Sequence, residues 1–372
     1  MMIRRTLLAA LLVATSTAGA QSGFDIQARI APQYHSYDID SPANTKISEL
    51  AIPLFVIVPV TPRLSFDIGT SFTSVDVKQT AGGTSTKSTI SGLTDTQLRG
   101  NYTIGSDFVV LTAGLNLPTG QSKVKEDQLN AASLIGNDFL AFPISNMGTG
   151  FGGTGGIAIA RPFGDWSIGA GASVRHSASY DPFNVNGGTF HYQPGNEYRI
   201  RGGVDRAFGT GRVSLGLTYS SFGDDDLAGS VYNTGKRWLT QLGMNNNFGP
   251  GMLTLAAWDL YRPSGEIADF SDSTAIETGK ENILAASLAY GIQSGSTTII
   301  EPNIEGRVWS QPSGIPSSTI MTLGVRSQFS LIGYAVSPSV GYSFGRLGTG
   351  SSGVTTTSDL TGFHAALAIR IR

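Results

Sequence analysis

The chain has no cysteine among its 372 residues, which excludes disulfide bonds and thiolate metal sites. Charged residues are scarce as well, at 14% of the total, whereas soluble proteins average about 25%. Glycine contributes 48 residues, and no linker or change of composition divides the chain. The formal net charge of −2 argues against a nucleic-acid partner. The composition therefore favours neither a multidomain soluble enzyme nor a nucleic-acid-binding protein.

Long apolar runs are also missing. The apolar stretch Leu7–Val13 is shorter than the roughly 20 residues that a membrane helix needs. It follows two arginines and precedes the small-residue sequence Ala18-Gly19-Ala20. This arrangement predicts a cleavable secretory signal peptide over residues 1–20 and a single mature domain over residues 21–372. An uncleaved membrane anchor is the alternative.

What the chain does contain is a repeated alternation of apolar and polar residues. In Arg212–Ser220, large apolar residues occupy every second position, and Ser, Gly and Thr lie between them. The same period runs through Phe363–Arg372. A period of two is typical of β-strands with one apolar and one polar face. A soluble β-sandwich alternates in the same way, so the connections must distinguish the two folds.

Short and long connections alternate along the chain. The tight turns share turn-forming residues and are Thr61-Pro62-Arg63, Gly105-Ser106-Asp107, Phe163-Gly164-Asp165, Gly209-Thr210-Gly211, Gly249-Pro250-Gly251, Ser294-Gly295-Ser296 and Leu331-Ile332-Gly333. The longer polar connections lie near residues 36–46, 78–90, 118–148, 178–194, 222–235, 262–280, 309–317 and 345–358. This asymmetry is typical of outer-membrane barrels, with short periplasmic turns and long external loops. The sequence therefore predicts an all-β fold, a transmembrane antiparallel β-barrel of about 16 strands in the cell outer membrane, with 12 or 14 strands as alternatives.

Charged residues on the polar faces of the predicted strands point to a wet interior. The candidates for lining the lumen are Arg29, Arg99, Arg199, Arg201, Glu301, Glu305 and Arg307. Unpaired ions in a dry interior cost several kcal/mol each. A barrel of about 16 strands is wide enough to leave an aqueous channel. The alternative is that these charges pair across the wall as a structural ladder.

The third long connection, residues 118–148, is not uniformly polar. Apolar side chains follow its charged first part, although a loop held out in water has no reason to carry them. We expect this loop to fold inward and narrow the pore, with these constriction candidates: Lys123, Lys125, Leu129, Leu134, Phe139 and Phe142. In position and length it resembles the third external loop of general porins, which constricts the lumen. An external lid and a contact with a neighbouring subunit are the alternatives.

One hairpin resembles a family of outer-membrane proteins named for the meta-pathway of phenol degradation. The similarity rests on Gly92-Leu93-Thr94-Asp95, at the entry to the hairpin, and on Leu117-Pro118-Thr119-Gly120, at its exit. That family is similar in turn to outer-membrane transporters of fatty acids and aromatic hydrocarbons, so the resemblance implies apolar or aromatic cargo. The segment Ile52–Val60 is apolar on both faces. This pattern fits an apolar patch in the lumen, packing against the long loop, or simple overpacking of the wall.

Catalysis is not expected from this sequence. The histidines are His35, His176, His191 and His364, and neither a G-x-S-x-G nor an H-E-x-x-H motif is present. Acidic residues cluster at Asp224–Asp226, and again at Glu266, Asp269 and Asp272, without the spacing of a calcium loop. Solvated loop charge is therefore favoured over a metal site, and no cofactor is expected.

The function that these patterns favour is an outer-membrane channel for passive diffusion of small solutes. Its surroundings would be outer-membrane lipid, and a homo-oligomer is expected only by analogy with porins. Facilitated uptake of hydrophobic or aromatic compounds is one alternative. A structural or adhesive surface barrel with a plugged lumen is the other.

Overall fold

A computed structural model describes residues 26–371, apart from residues 41–42, 106–107, 186, 269–274, 296, 313 and 352–353. The predicted signal peptide, residues 1–20, lies outside the described residues. The described residues form one large antiparallel sheet that closes on itself, because its first strand pairs with both the second and the last.

Sixteen strands make up the closed sheet, and two of them are interrupted. In chain order they are β1 (Gln27–Ile30 and Gln33–Ile39), β2 (Asn44–Thr61), β3 (Leu64–Ala81), β4 (Thr84–Leu93 and Thr96–Ile104), β5 (Val109–Leu117), β6 (Gly152–Phe163), β7 (Trp166–Ser177), β8 (Glu197–Phe208), β9 (Gly211–Phe222), β10 (Lys236–Phe248), β11 (Gly251–Arg262), β12 (Glu281–Ser294), β13 (Thr298–Ser310), β14 (Ser318–Leu331), β15 (Tyr334–Ser351) and β16 (Val354–Ile371). The predicted all-β barrel and its strand number are confirmed.

The register at the closure joins the two ends of the described chain. Arg29 of β1 lies opposite Phe55 of β2 on one side and Arg370 of β16 on the other. Because 16 is an even number, both ends of the described chain lie at the same end of the barrel. Pro32 interrupts β1, since proline has no N–H to donate, but its carbonyl still accepts from the Leu367 N–H at 2.9 Å.

The predicted tight turns are where consecutive strands reverse at the end that holds the termini. Gly164, Gly209 and Gly249 have φ angles of 61°, 51° and 59°, which L-residues rarely adopt. Glycine at these positions therefore lets the chain reverse within two residues. Ser106, Asp107 and Ser296, in two other turns, lie outside the described residues.

Three of the predicted long connections differ from the structure. Ala81 pairs with Thr84, Ser351 with Val354, and Ile39 with Thr45. Strand therefore makes up most of residues 36–46, 78–90 and 345–358. The loops that their polar composition predicts are wrong. Above the membrane a strand needs no apolar outer face, and threonine-rich segments form strands readily once a partner is paired.

Most of the other external connections are longer and contain short elements. These are Val124–Lys125, the 3-10 helix Glu126–Gln128, α1 (Leu129–Ile135), Phe183–Val185, Gly188–Thr189, Tyr192–Gln193, Asp225–Leu227, Ser230–Tyr232, Gly265–Ala268 and Ala275–Thr278. No helix within the described ranges has the length and apolar character needed to cross a membrane.

The outer face of the sheet is apolar around the barrel. Large exposed side chains on it include Phe66, Ile68, Leu111, Ile159, Leu215, Leu217, Leu242, Leu288, Leu323 and Tyr342. A soluble monomer rarely exposes an apolar surface of this extent, whereas hydrocarbon chains of lipid would cover it favourably. Aromatic side chains lie near strand ends, with Phe163 and Phe248 beside the tight turns and Trp238 and Tyr261 towards the opposite end. These are the levels at which membrane barrels carry aromatic side chains.

Candidate functional site in the barrel interior

The inner face of the barrel carries most of the strand charges. In β8, Tyr198 and Ile200 are 54% and 61% exposed on the outer face, so the alternating Arg199 and Arg201 lie on the inner face. The same alternation puts the other charged candidates on the inner face: Arg29, Arg99, Glu301, Glu305 and Arg307.

Many of these charges are paired with one another. Ion pairs with N–O distances of 2.5–2.8 Å are Arg99–Asp67, Arg199–Glu197, Arg307–Glu305 and Arg326–Glu301. Among the described residues, no ion pair involves Arg29 or Arg201. Pairing largely neutralises the inner face at these positions and offsets part of the cost of removing the ions from bulk water.

Residues 118–151, here called the inserted segment, connect β5 to β6 and pack against inward-facing side chains of the wall. The ring of Phe139 stacks on Trp309 of β13, with 5.6 Å between centroids. Phe142 meets Tyr37 of β1 edge-on at 5.5 Å, and the Tyr37 hydroxyl donates to the Leu140 carbonyl at 3.1 Å. The segment and the wall share one apolar cluster, whose buried wall members include Ile47, Val75, Val77, Ile90, Ile283, Ile320 and Leu360. The segment thus covers the apolar part of the inner surface.

Polar contacts hold the same segment to the wall. Glu49 of β2 is fully buried, and its Oε1 accepts from the Ile144 N–H at 3.0 Å. Arg262 of β11 binds Asp138 of the segment. Arg307 donates to the Phe139 carbonyl. The wall strands that hold the segment therefore lie on both sides of the closure between β1 and β16.

Asp95 joins the two ends of the inserted segment. It lies between the two parts of β4 and is 9% exposed. Its Oδ1 accepts from the Gly120 N–H at 3.1 Å, and its Oδ2 accepts from the Thr149 N–H at 2.7 Å and from Asn116 Nδ2 at 2.8 Å. A Cβ on Gly120 would lie 2.1 Å from the Met147 carbonyl oxygen, so only glycine fits there. The paired motifs at residues 92–95 and 117–120 thus anchor the inserted segment.

The constriction candidates occupy different positions in this segment. Phe139 and Phe142 are buried against the wall, and Leu129 and Leu134 are half-buried on α1. Lys123 and Lys125 are exposed, and Lys123 Nζ lies 3.6 Å from Asp181 in the next external connection. The two lysines therefore belong to the exposed surface of the segment, whereas the two phenylalanines fix it in place.

Among the described residues, β5–β10 contribute nothing to that apolar cluster, and small inward side chains lie on these strands. Gly216 of β9 lies between the outward Leu215 and Leu217, and a Cβ added to it would meet no atom within 4 Å. A cavity of about 300 Å³ lies beside the inner face and is lined by side chains that include Asp67, Arg99, Thr154, Ser173, Arg175 and Glu197. A second cavity, of about 330 Å³ and here called the external cavity, lies nearer the external end and shares Arg175 and Glu197 with the first. Space therefore remains on this side of the interior.

A closed sheet of 16 strands with an apolar exterior and a charged interior decides the class of protein. The fold is that of an outer-membrane β-barrel. No protein-family model matches the sequence, and no curated protein matches it.

Several solved outer-membrane proteins are similar to this barrel in general architecture. A deltaS2S3 mutant of the monoaromatic hydrocarbon channel TodX is 13% identical, with a TM-score of 0.49, over 93% of this chain and 90% of that one. OpdQ from Pseudomonas aeruginosa is 9% identical, with a TM-score of 0.45, over 94% and 99% of the two chains. OmpT of Vibrio cholerae is 10% identical, with a TM-score of 0.43, over 94% and 98%. Because these sequence identities and TM-scores are low, the solute must be inferred from this chain's own residues.

Several interior residues were missed by the sequence reasoning. Arg175 of β7 and Arg237 of β10 line the external cavity of the barrel. Val174 points outward just before Arg175, and Trp238 points outward just after Arg237. The alternating pattern could therefore have placed both arginines on the inner face. Tyr180 and Tyr192 also line this cavity, but they come from an external connection, and no period in the sequence signals their position.

The acidic clusters and histidines have local structural partners. Asp225 accepts from the Gly195 N–H at 2.6 Å and Asp226 from the Gly229 N–H at 2.8 Å. Asp269 and Asp272 lie outside the described residues. Within the described part of the barrel, no group of three or more His, Asp or Glu is placed to hold a metal ion. His176 Nδ1 contacts Asn196 Oδ1 at 2.7 Å.

Proposed function

We propose that this barrel is a channel for passive diffusion of small polar solutes across the outer membrane. The observation that carries the proposal is the space at the inner face of the barrel, in two cavities lined by charged and small side chains of strands from β2 to β11. Polar groups along this face can replace part of a solute's hydration, and their charges bias which solutes enter.

The inserted segment would set the size limit of this channel. It occupies the apolar part of the interior and is held there by Glu49, Asp95, Arg262 and Arg307. Solutes would then pass between the segment and the opposite wall. The small inward residue Gly216 and its neighbours keep that wall open.

Single-channel conductance of the refolded mature protein in a planar bilayer tests the proposal. We expect steady openings on the nanosiemens scale, and a salt gradient would report the sign of the preferred ion from the reversal potential. Silence from protein shown to be folded by its heat-modifiable mobility would contradict a diffusion channel and favour a plugged barrel.

Deletion of Gln128–Phe142 tests the role of the inserted segment. The variant should conduct more than the complete barrel, because the deletion removes α1 and the phenylalanines that hold the segment against the wall. Exclusion of uncharged polymers of increasing size would measure the change. An unchanged size limit in a folded variant would refute a constricting role.

Uptake of apolar compounds has less support from the interior. Phe55 of β2 lines the cavity of about 300 Å³, but Leu54 and Val56 alternate with it on the outer face. The apolar wall residues of the buried cluster are already covered by the inserted segment. Growth of a host on aromatic hydrocarbons, with and without the barrel, would separate the two functions.

A further inference from the structure

The external cavity of the barrel contains more positive than negative charge. Its basic side chains are Arg175, Lys236, Arg237 and Arg262, and its acidic ones are Glu197 and Asp225. Arg262 is committed to Asp138 and Glu281, and Glu197 is committed to Arg199. No ion pair within the described residues involves the other three basic side chains. The cavity therefore attracts anions.

Arg237 is positioned to donate hydrogen bonds to a ligand in this cavity. Its side chain is half-buried, and the guanidinium carbon lies 5.4 Å from the centroid of the Phe222 ring. Its Nε is buried and has no hydrogen-bond partner among the described residues. A buried guanidinium N–H without an acceptor is unfavourable, and a planar carboxylate matches the guanidinium fork with two parallel hydrogen bonds.

Aromatic rings form another part of the same cavity. Tyr180 and Tyr192 exchange two backbone hydrogen bonds of 2.9 and 2.8 Å, and their rings meet edge-on at 5.5 Å. Burial raises the pKa of Tyr180 to about 12, so its hydroxyl stays protonated at neutral pH. With Phe222 they provide faces against which a flat apolar group can pack.

We infer that this cavity, lined by Arg175, Arg237, Phe222, Tyr180 and Tyr192, is a binding site for small aromatic carboxylates on their way into the channel. Its volume of about 330 Å³ lies within the usual range for small-molecule sites. The inference deepens the proposed function, on which it rests, by naming a class of solute. The carboxylate would meet the guanidinium groups, and the ring would pack against the aromatic side chains.

Isothermal titration of the refolded barrel in detergent tests the site with benzoate, acetate, inorganic phosphate and benzylamine as probes. Benzoate should bind more tightly than acetate, because only benzoate has a ring, and benzylamine should not bind. Phosphate binding as tight as that of benzoate would overturn the aromatic part of the inference. Absence of benzoate binding would overturn it altogether.

Variants locate the binding. Arg237→Gln and Arg175→Gln should each weaken benzoate binding at least tenfold, and Arg237→Lys should weaken it less. Arg206→Gln is the matched control, since Arg206 also lies over an aromatic ring, 4.9 Å from the centroid of Trp166, but near the tight-turn end. An equal loss in Arg206→Gln, or no loss in either folded cavity variant, would refute the site.

Binding and conduction can fail separately. A barrel that binds benzoate through Arg237 but does not conduct would retain the site and contradict the channel. A barrel that conducts but shows no benzoate binding would retain the channel and contradict the site.

Discussion

At the scale of single residues, the Asp95 carboxylate explains the motifs at residues 92–95 and 117–120, which the composition of the chain does not explain. Asp95 accepts three N–H hydrogen bonds, from Gly120, Thr149 and Asn116, and so holds both ends of the inserted segment beside β4. Gly120 is needed because the Met147 carbonyl approaches its Cα closely. The hairpin that resembles the phenol-degradation family thus has a structural role, independent of any cargo.

Asp95→Ala should loosen the inserted segment without unfolding the barrel. Each buried donor left without an acceptor costs about 1–3 kcal/mol, and the strands themselves keep their pairing. We expect higher conductance and more frequent current fluctuations in single-channel recordings, and the same outcome for Gly120→Ala.

Asp76→Ala is the control for that change. Asp76 accepts from the Thr89 hydroxyl at 2.7 Å on the outer face of the same two strands, β3 and β4. Its removal should leave the recordings unchanged. Quiet, wild-type openings in a folded Asp95→Ala barrel would show that the carboxylate does not anchor the segment.

At the scale of the element, the period of two decides which substitutions reach the interior. In β9 the exposed Leu215 and Leu217 flank Gly216, whereas in β8 the register pairs Gly202 with Leu217 on the outer face. A Cβ at either glycine would meet no atom within 4 Å. The two positions are therefore similar in space and opposite in orientation.

Gly216→Phe should lower the single-channel conductance by about twofold or more, because the ring enters the open side of the interior. Gly202→Phe should leave the conductance unchanged, because its ring faces lipid. Equal effects of the two substitutions on conductance would mean that solutes do not pass along β9.

The strand boundaries show where element-level reasoning stops. Alternation in Arg212–Ser220 and in Phe363–Arg372 predicts two strands, and the structure contains the first and, as far as Ile371, the second. The polar composition of residues 78–90 and 345–358 predicts loops, although both segments are mostly paired strand. The alternation of apolar and polar residues reflects whether each face of a strand meets lipid or water. A strand that continues above the lipid therefore loses this alternation, although it keeps its backbone hydrogen bonds.

At the scale of the whole molecule, the even strand number places both described termini at the same end of the barrel. The described termini and the tight turns predicted from the sequence lie at one end, and the Gly82-Gly83 hairpin and the longer connections lie at the other. Outer-membrane barrels place the short turns in the periplasm. The hairpin end at Gly82-Gly83 should therefore face the cell exterior.

An epitope inserted between Gly82 and Gly83 should be labelled by antibody on intact cells. One inserted between Gly209 and Thr210 should be labelled only after the outer membrane is permeabilised. Flow cytometry on the two strains measures both results. Labelling of the second insertion on intact cells would reverse the assigned orientation.

The sequence by itself determined the barrel, its strand number and the inward orientation of its charges. These properties follow from local period and turn chemistry, since each strand must present an apolar face to lipid and a polar face inward. Only the tertiary structure decided which charges pair, how Asp95 gathers the two ends of the inserted segment, and which side of the interior stays open. Those features join residues far apart in the chain, such as Arg307 with Phe139 and Glu49 with Ile144, and no local pattern encodes such contacts.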